Sequence, residues 1–186
     1  ITSHDFNLRF NVPNKTVTIV DDAAFVRPNS RVKAFLMRFS PCYKIASITL
    51  GGRNVPFRQV GGIVSADASQ EDKEFTYRIS YSAKVNLPQY AGSISEREAT
   101  LTNDYWYPMI GRQPATYHAK IHAPKGWTAI AQGELVQFQE LPTERLTEYN
   151  MGLPVTYFSL SAAPYRTFSQ EIRGRRYSVW SLHMSE

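Results

Sequence analysis

The sequence predicts an all-β fold, an antiparallel β-sandwich, on three observations. Apolar residues alternate with polar ones at a period of two, which is how a half-buried strand reads. The alternating runs are short and recur at roughly 8–12-residue spacing with turn chemistry between them. Aromatic residues make up 13% of the chain, a bias that suits pleated, half-buried surfaces. The 186 residues are sized for a single domain, residues 1–186. No segment carries a sustained 3.6-residue apolar stripe with a capping box, and no apolar run approaches the ~18 residues that would span a bilayer.

The elements follow in chain order. Phe6, Leu8 and Phe10 alternate with polar partners over residues 4–11, Pro13-Asn14-Lys15 turns the chain, and residues 15–20 return as the second arm of a hairpin. Asp21-Asp22 then reads as a turn with solvated charge. Residues 31–39 are a further apolar stretch. Residues 43–50 and 54–59 flank Gly51-Gly52-Arg53 as a second hairpin, and residues 61–72 read as a break. The clearest strand is 74–85, with Phe75, Tyr77, Ile79, Tyr81, Ala83 and Val85 on one face and Thr76, Arg78, Ser80, Ser82 and Lys84 on the other. Residues 86–104 read as a polar loop, long enough to be functional or disordered. Strand signals resume at 115–123, 127–132, 134–139, 145–150, 155–162, 167–172 and 175–182. Turn chemistry falls at Pro124-Lys125-Gly126, Gln132-Gly133, Leu141-Pro142, Gly152-Leu153-Pro154 and Gly174.

Composition narrows the chemistry. Net charge is +5, but the 21 Lys and Arg are interspersed with 16 Asp and Glu, so no nucleic-acid patch is expected. The densest cluster, Arg173, Arg175 and Arg176 around Gly174, reads as a hairpin tip. The single cysteine, Cys42, excludes a disulfide framework and a multi-cysteine metal site, and reads as a small buried hydrophobe. It does not fix the compartment. The chain opens on Ile1 rather than Met, which points to a processed or excised chain.

His118 and His122 have the spacing of a helical zinc-protease motif, but Ala119 stands where that motif needs its glutamate base. Their segment alternates as a strand, which sets them about 13 Å apart on the wet face, beyond the reach of one metal. No nucleophile elbow or phosphate-binding glycine loop is present. The acid pairs Asp21-Asp22 and Glu71-Asp72 read as solvated turns. Asn14-Lys15-Thr16 fits the glycosylation acceptor pattern without further support. Tyr105-Trp106-Tyr107-Pro108 is the densest aromatic cluster, read as a core anchor where a long loop re-enters the sandwich. Its alternative is a stacking platform for a glycan or protein ligand on a free-standing module.

Four runs carry a family resemblance. Residues 105–117, from Tyr105-Trp106-Tyr107-Pro108 through Gln113-Pro114-Ala115-Thr116-Tyr117, resemble the W-x-P … P-x-x-A-T-F stretch of the zinc aminopeptidases typified by alanyl aminopeptidase and leukotriene hydrolase, peptidase family M-one. Ala123-Pro124-Lys125-Gly126-Trp127 through Gly133-Glu134-Leu135 is similar to the next segment of that family. Pro154-Val155-Thr156-Tyr157-Phe158 through Ala163-Pro164-Tyr165 resembles a later one, and His4-Asp5-Phe6-Asn7-Leu8-Arg9-Phe10 the opening one.

The resemblance implies the family's N-terminal saddle-shaped β-sandwich, inert alone, packed on its own downstream catalytic domain and capping the peptide substrate. Zinc and every catalytic residue are then expected downstream, and none in this chain. Many family members bind the substrate's free amine with Gln-x-Glu just before the W-x-P stretch. Here Ser95-Glu96-Arg97-Glu98-Ala99 stands there, so Glu98, with Glu96 behind it, is the substrate-binding candidate. Gly111-Arg112-Gln113-Pro114 also replaces the usual acidic pattern.

Overall fold

The alternation seen in sequence becomes the burial pattern of the computed structural model, which describes residues 1–68, 73–85, 92–102 and 105–182. Its strands are β1 (Ser3–Asn11), β2 (Thr16–Val26), β3 (Ala34–Arg38), β4 (Tyr43–Leu50), β5 (Arg53–Asn54), β6 (Phe57–Val60), β7 (Ile63–Asp67), β8 (Glu74–Lys84) and β9 (Ser93–Ile94). They continue as β10 (Ala99–Leu101), β11 (Ala115–Pro124), β12 (Thr128–Ala131), β13 (Glu134–Glu140), β14 (Glu144–Val155), β15 (Leu160–Ala163), β16 (Arg166–Ile172) and β17 (Arg175–Ser181).

An eight-stranded sheet in the order β13-β14-β11-β1-β2-β8-β4-β5 carries the molecule. Its neighbours are a four-stranded sheet β12-β15-β10-β9, a three-stranded sheet β3-β7-β6 and the hairpin β16-β17. The sandwich expected from sequence is present, with one difference in strand direction. β1 and β11 pair in parallel, Ser3 opposite Thr116 through Arg9 opposite His122, so the large sheet is mixed. Alternation records which face a side chain takes. It says nothing about the direction of the neighbouring strand.

Phe6, Leu8 and Phe10 of β1, Val17, Ile19 and Phe25 of β2, Tyr77, Ile79 and Tyr81 of β8, and Tyr117, Ala119 and Ile121 of β11 form one buried face. Aromatic contacts tie it to the other layers. The Phe6 ring lies 4.9 Å from Trp106, Tyr117 stacks on Phe158 at 5.0 Å, and Phe25 meets Phe35 of β3 at 5.1 Å.

Several elements depart from the sequence expectation. Asp21-Asp22 is no turn; it lies mid-strand in β2, with Asp21 wholly buried. Residues 61–72 are not simply a break, since β7 occupies Ile63–Asp67 and pairs with both β3 and β6. Glu71 and Asp72 fall outside the described residues. Within 86–104, residues 86–91 and 103–104 also fall outside them, while β9 and β10 form a small hairpin. The 54–59 arm divides. β5 stays beside β4, and β6 crosses to the three-stranded sheet. Gly152-Leu153-Pro154 is not a turn but the end of β14, past the last residue that β13 pairs, Asn150. A proline is tolerated there because no neighbour on that side needs its N–H.

Candidate functional site

Glu96 and Glu98 sit on the turn joining β9 to β10. The turn is built by Ser95. Its backbone N–H donates to the Glu98 carbonyl at 2.8 Å, and its hydroxyl receives the N–H groups of Arg97 and Glu98 at 3.2 and 3.1 Å. Gly92 lets this hairpin close, with φ of 122° and a position where a Cβ would lie 1.8 Å from the Thr100 carbonyl oxygen. The backbone under both acids is therefore fixed. Glu96 is exposed and Glu98 half-buried. Beside the turn, the outer face of the four-stranded sheet is a shallow trough, mainly apolar, lined by Thr100, Thr102, Ile130, Leu160, Ser161 and Trp180.

Trp106 and Tyr107 do not form a platform. They are 0% and 1% exposed, and the Trp106 indole N–H donates to the Phe158 carbonyl at 3.0 Å. The Tyr107 hydroxyl receives the Phe158 N–H at 3.2 Å and lies 3.2 Å from the Tyr117 hydroxyl. The core-anchor expectation holds. The alternative of a ligand-stacking loop loses its aromatic surface, because only Tyr105 is partly open and Arg38 lies 5.9 Å over its ring.

His118 and His122 do project from one face of β11, as expected of a strand. Neither is idle. His118 Nδ1 lies 2.7 Å from Asp5 and Nε2 2.6 Å from Glu148, while His122 Nδ1 lies 2.8 Å from Glu144. With both His118 nitrogens committed to acids, the ring offers no lone pair to a metal. No group of three or more His, Cys, Asp or Glu side chains suited to hold a metal ion occurs among the described residues. The described residues do not fit a zinc centre. Cys42 is half-buried, with Sγ 3.3 Å from the Ser40 hydroxyl.

A buried pair went unrecognised in the sequence. His4 is 3% exposed and its Nδ1 lies 2.8 Å from Asp21 Oδ2, under the same sheet. Burial pushes the Asp21 carboxyl above its usual range, against the opposing charge and hydrogen bond of His4. Asp21 Oδ1 and the Tyr81 hydroxyl have no hydrogen-bond partner. The signal was available. His4 is in phase with Phe6, Leu8 and Phe10, and Asp21 with Val17, Ile19 and Phe25. A polar residue in the apolar phase is a buried polar residue.

No protein-family model matches the sequence, and no curated protein matches it. Solved structures do. A zinc metallopeptidase of the M1 family from Deinococcus radiodurans superposes with a TM-score of 0.78 at 13% identity, over 92% of this chain and 43% of that one. The fold is one found in M1 zinc metallopeptidases. A mutant form of the Deinococcus protein bound to a Tyr-Ser-Ala substrate matches 96% of this chain with 46% of its own, at a TM-score of 0.78 and 12% identity. Legionella pneumophila aminopeptidase A, in complex with aspartic acid, matches with a TM-score of 0.81 at 15% identity, over 97% of this chain and 23% of that one. The chain thus spans less than half the length of each of these structures.

Proposed function

We infer that this chain is the N-terminal domain of a larger M1-type zinc aminopeptidase, inert alone, which caps the peptide substrate bound by a catalytic domain outside the chain. The observation that carries this reading is the M1 fold match, which takes in nearly all of this chain and less than half of each matched structure. Zinc in that reading belongs to the companion domain.

The surface supports a companion. In β16-β17, Phe168, Ile172, Tyr177 and Val179 share one face by register, and each is between 46% and 65% exposed. A two-stranded hairpin with an open apolar face is marginal in water and gains by burying it. Trp180 of the same hairpin lines the trough beside the Glu98 turn.

Glu98, with Glu96 as its neighbour, is assigned to the substrate's free amine. A carboxylate on a backbone-fixed turn can pair with a cationic amine, and the pairing strengthens as a companion domain excludes water. In this reading the chain supplies recognition and the companion supplies chemistry.

The test is made in the longer protein encoded with this segment. Glu98→Ala should raise KM for free-amine peptides more than for N-blocked ones, and leave kcat on blocked substrates unchanged. Equal effects on both classes would remove Glu98 from the amine site. An open reading frame that continues without an H-E-x-x-H motif would remove the peptidase reading itself.

A further inference from the structure

The parallel seam between β1 and β11 carries all three described histidines. His4 lies on β1 beneath the sheet, its ring stacked on Tyr117 of β11 at 5.4 Å. His118 and His122 lie on β11 above it. The seam joins segments more than a hundred residues apart, Asp5 opposite His118 and Arg9 opposite His122. Parallel pairing is slightly weaker per residue than antiparallel pairing, so this join has most to gain from side-chain support.

That support runs through hydrogen-bonding and charged side chains and crosses three strands. Asp5 of β1, His118 of β11 and Glu148 of β14 form one line, with contacts of 2.7 and 2.6 Å. Below it, Glu144 of β14 accepts from Arg9 of β1 at 3.0 Å and from His122 of β11 at 2.8 Å. An imidazole that meets an acid oxygen at each nitrogen must donate from both, which defines the protonated ring. We propose that the seam is a proton-operated clasp, in which the His118 imidazolium ties β1 and β14 to β11 and the join loosens when that proton leaves.

The strands flanking this line bring further charges to it. Asp22 of β2 stands opposite Asp5 and is held by Arg78 of β8 at 3.1 Å. Lys120 of β11 stands opposite Glu148, and Glu134 of β13 opposite Asn150, which is itself opposite His118. His118 is the member of its own line whose charge changes near neutrality. Burial pulls its pKa down, but the hydrogen bonds and charges of Asp5 and Glu148 outweigh that and leave it above 6.5. The sign follows. The clasp is fully closed below 6.5, the ring's unfolded value, and is lost as pH rises through the higher folded value.

The inference does not depend on the peptidase reading. It is tested on the 186-residue chain by hydrogen exchange of β1 and β11 amides from slightly acid to alkaline pH, corrected for intrinsic rates, beside an NMR titration of the His118 ring. Wild type should lose protection as the ring deprotonates, by up to about tenfold for each pH unit by which folding raises the His118 pKa. In His118→Gln that step should vanish. In Glu148→Gln, which keeps the shape and removes one acid, the step should move to lower pH together with the ring titration. The same step in His118→Gln overturns the clasp. So does a Glu148→Gln step that stays in place, or a ring that titrates in wild type with no change in protection. If His118→Gln does not fold, the Glu148→Gln shift decides alone.

Discussion

Trp106→Ala tests the packing on which the sandwich rests. Trp106 is wholly buried, donates its indole N–H to Phe158 at 3.0 Å, and has the Tyr107 and Phe6 rings at 4.8 and 4.9 Å. Truncation removes the ring and leaves a cavity where two layers meet, a change that costs about 3–5 kcal/mol in well-packed cores. With a urea slope of about 1–3 kcal/mol per molar, the midpoint should fall by about 2 M. Circular dichroism is the proper readout, since the mutation deletes one of the fluorophores. Trp106→Phe separates the parts. It keeps most of the ring but strips the Phe158 carbonyl of its indole donor, and should cost about 1–3 kcal/mol. A Trp106→Ala midpoint unchanged from wild type would refute the core-anchor account and return the Tyr105–Pro108 stretch to the surface.

Further outcomes can be checked together. The Asp21 carboxyl is raised above 3.8 by burial, so the folded state resists its ionisation. Wild type should therefore lose stability relative to Asp21→Asn as pH rises from 3.8 through the folded value, with a constant difference above it; urea titrations across pH give this curve, and parallel curves would contradict it. Gly92→Ala drives a Cβ into the Thr100 carbonyl at a φ of 122°, and should lower Tm by more than Gly174→Ala, where φ is 72° and nothing lies within 4 Å. The latter should cost only the left-handed backbone penalty, about 1–2 kcal/mol.

Much of the fold was legible because strand identity is a local property. The 74–85 run announces both of its faces, and β8 buries Tyr77, Ile79, Tyr81 and Ala83 as the alternation requires. The turn at Gly174 was equally plain, and the strands expected at 167–172 and 175–182 meet β16 and β17 to within a residue. Errors arose where residue chemistry was weighed without phase. Asp21-Asp22 looked like a turn because acids favour turns, yet the alternation of β2 runs through them without interruption. The Gly152-Leu153-Pro154 stretch looked like a break, and becomes strand because β14 has outrun β13 there. Of the candidate site, the sequence supplied Glu96 and Glu98. The Ser95 turn that fixes them and the trough beside them depend on chain segments far apart in sequence.

By itself the sequence determined an all-β chain, the buried faces of β1, β8 and β11, and a buried Trp106. These follow from a two-residue period and the free energy of burying large rings, both readable within a short window. Only the tertiary structure decided that β1 lies parallel to β11, that His4 finds Asp21, and that His118 is gripped by acids from two other strands. Each of those joins residues between 17 and 113 positions apart. Such partners are selected by the closure of the whole sheet, and no local pattern encodes them.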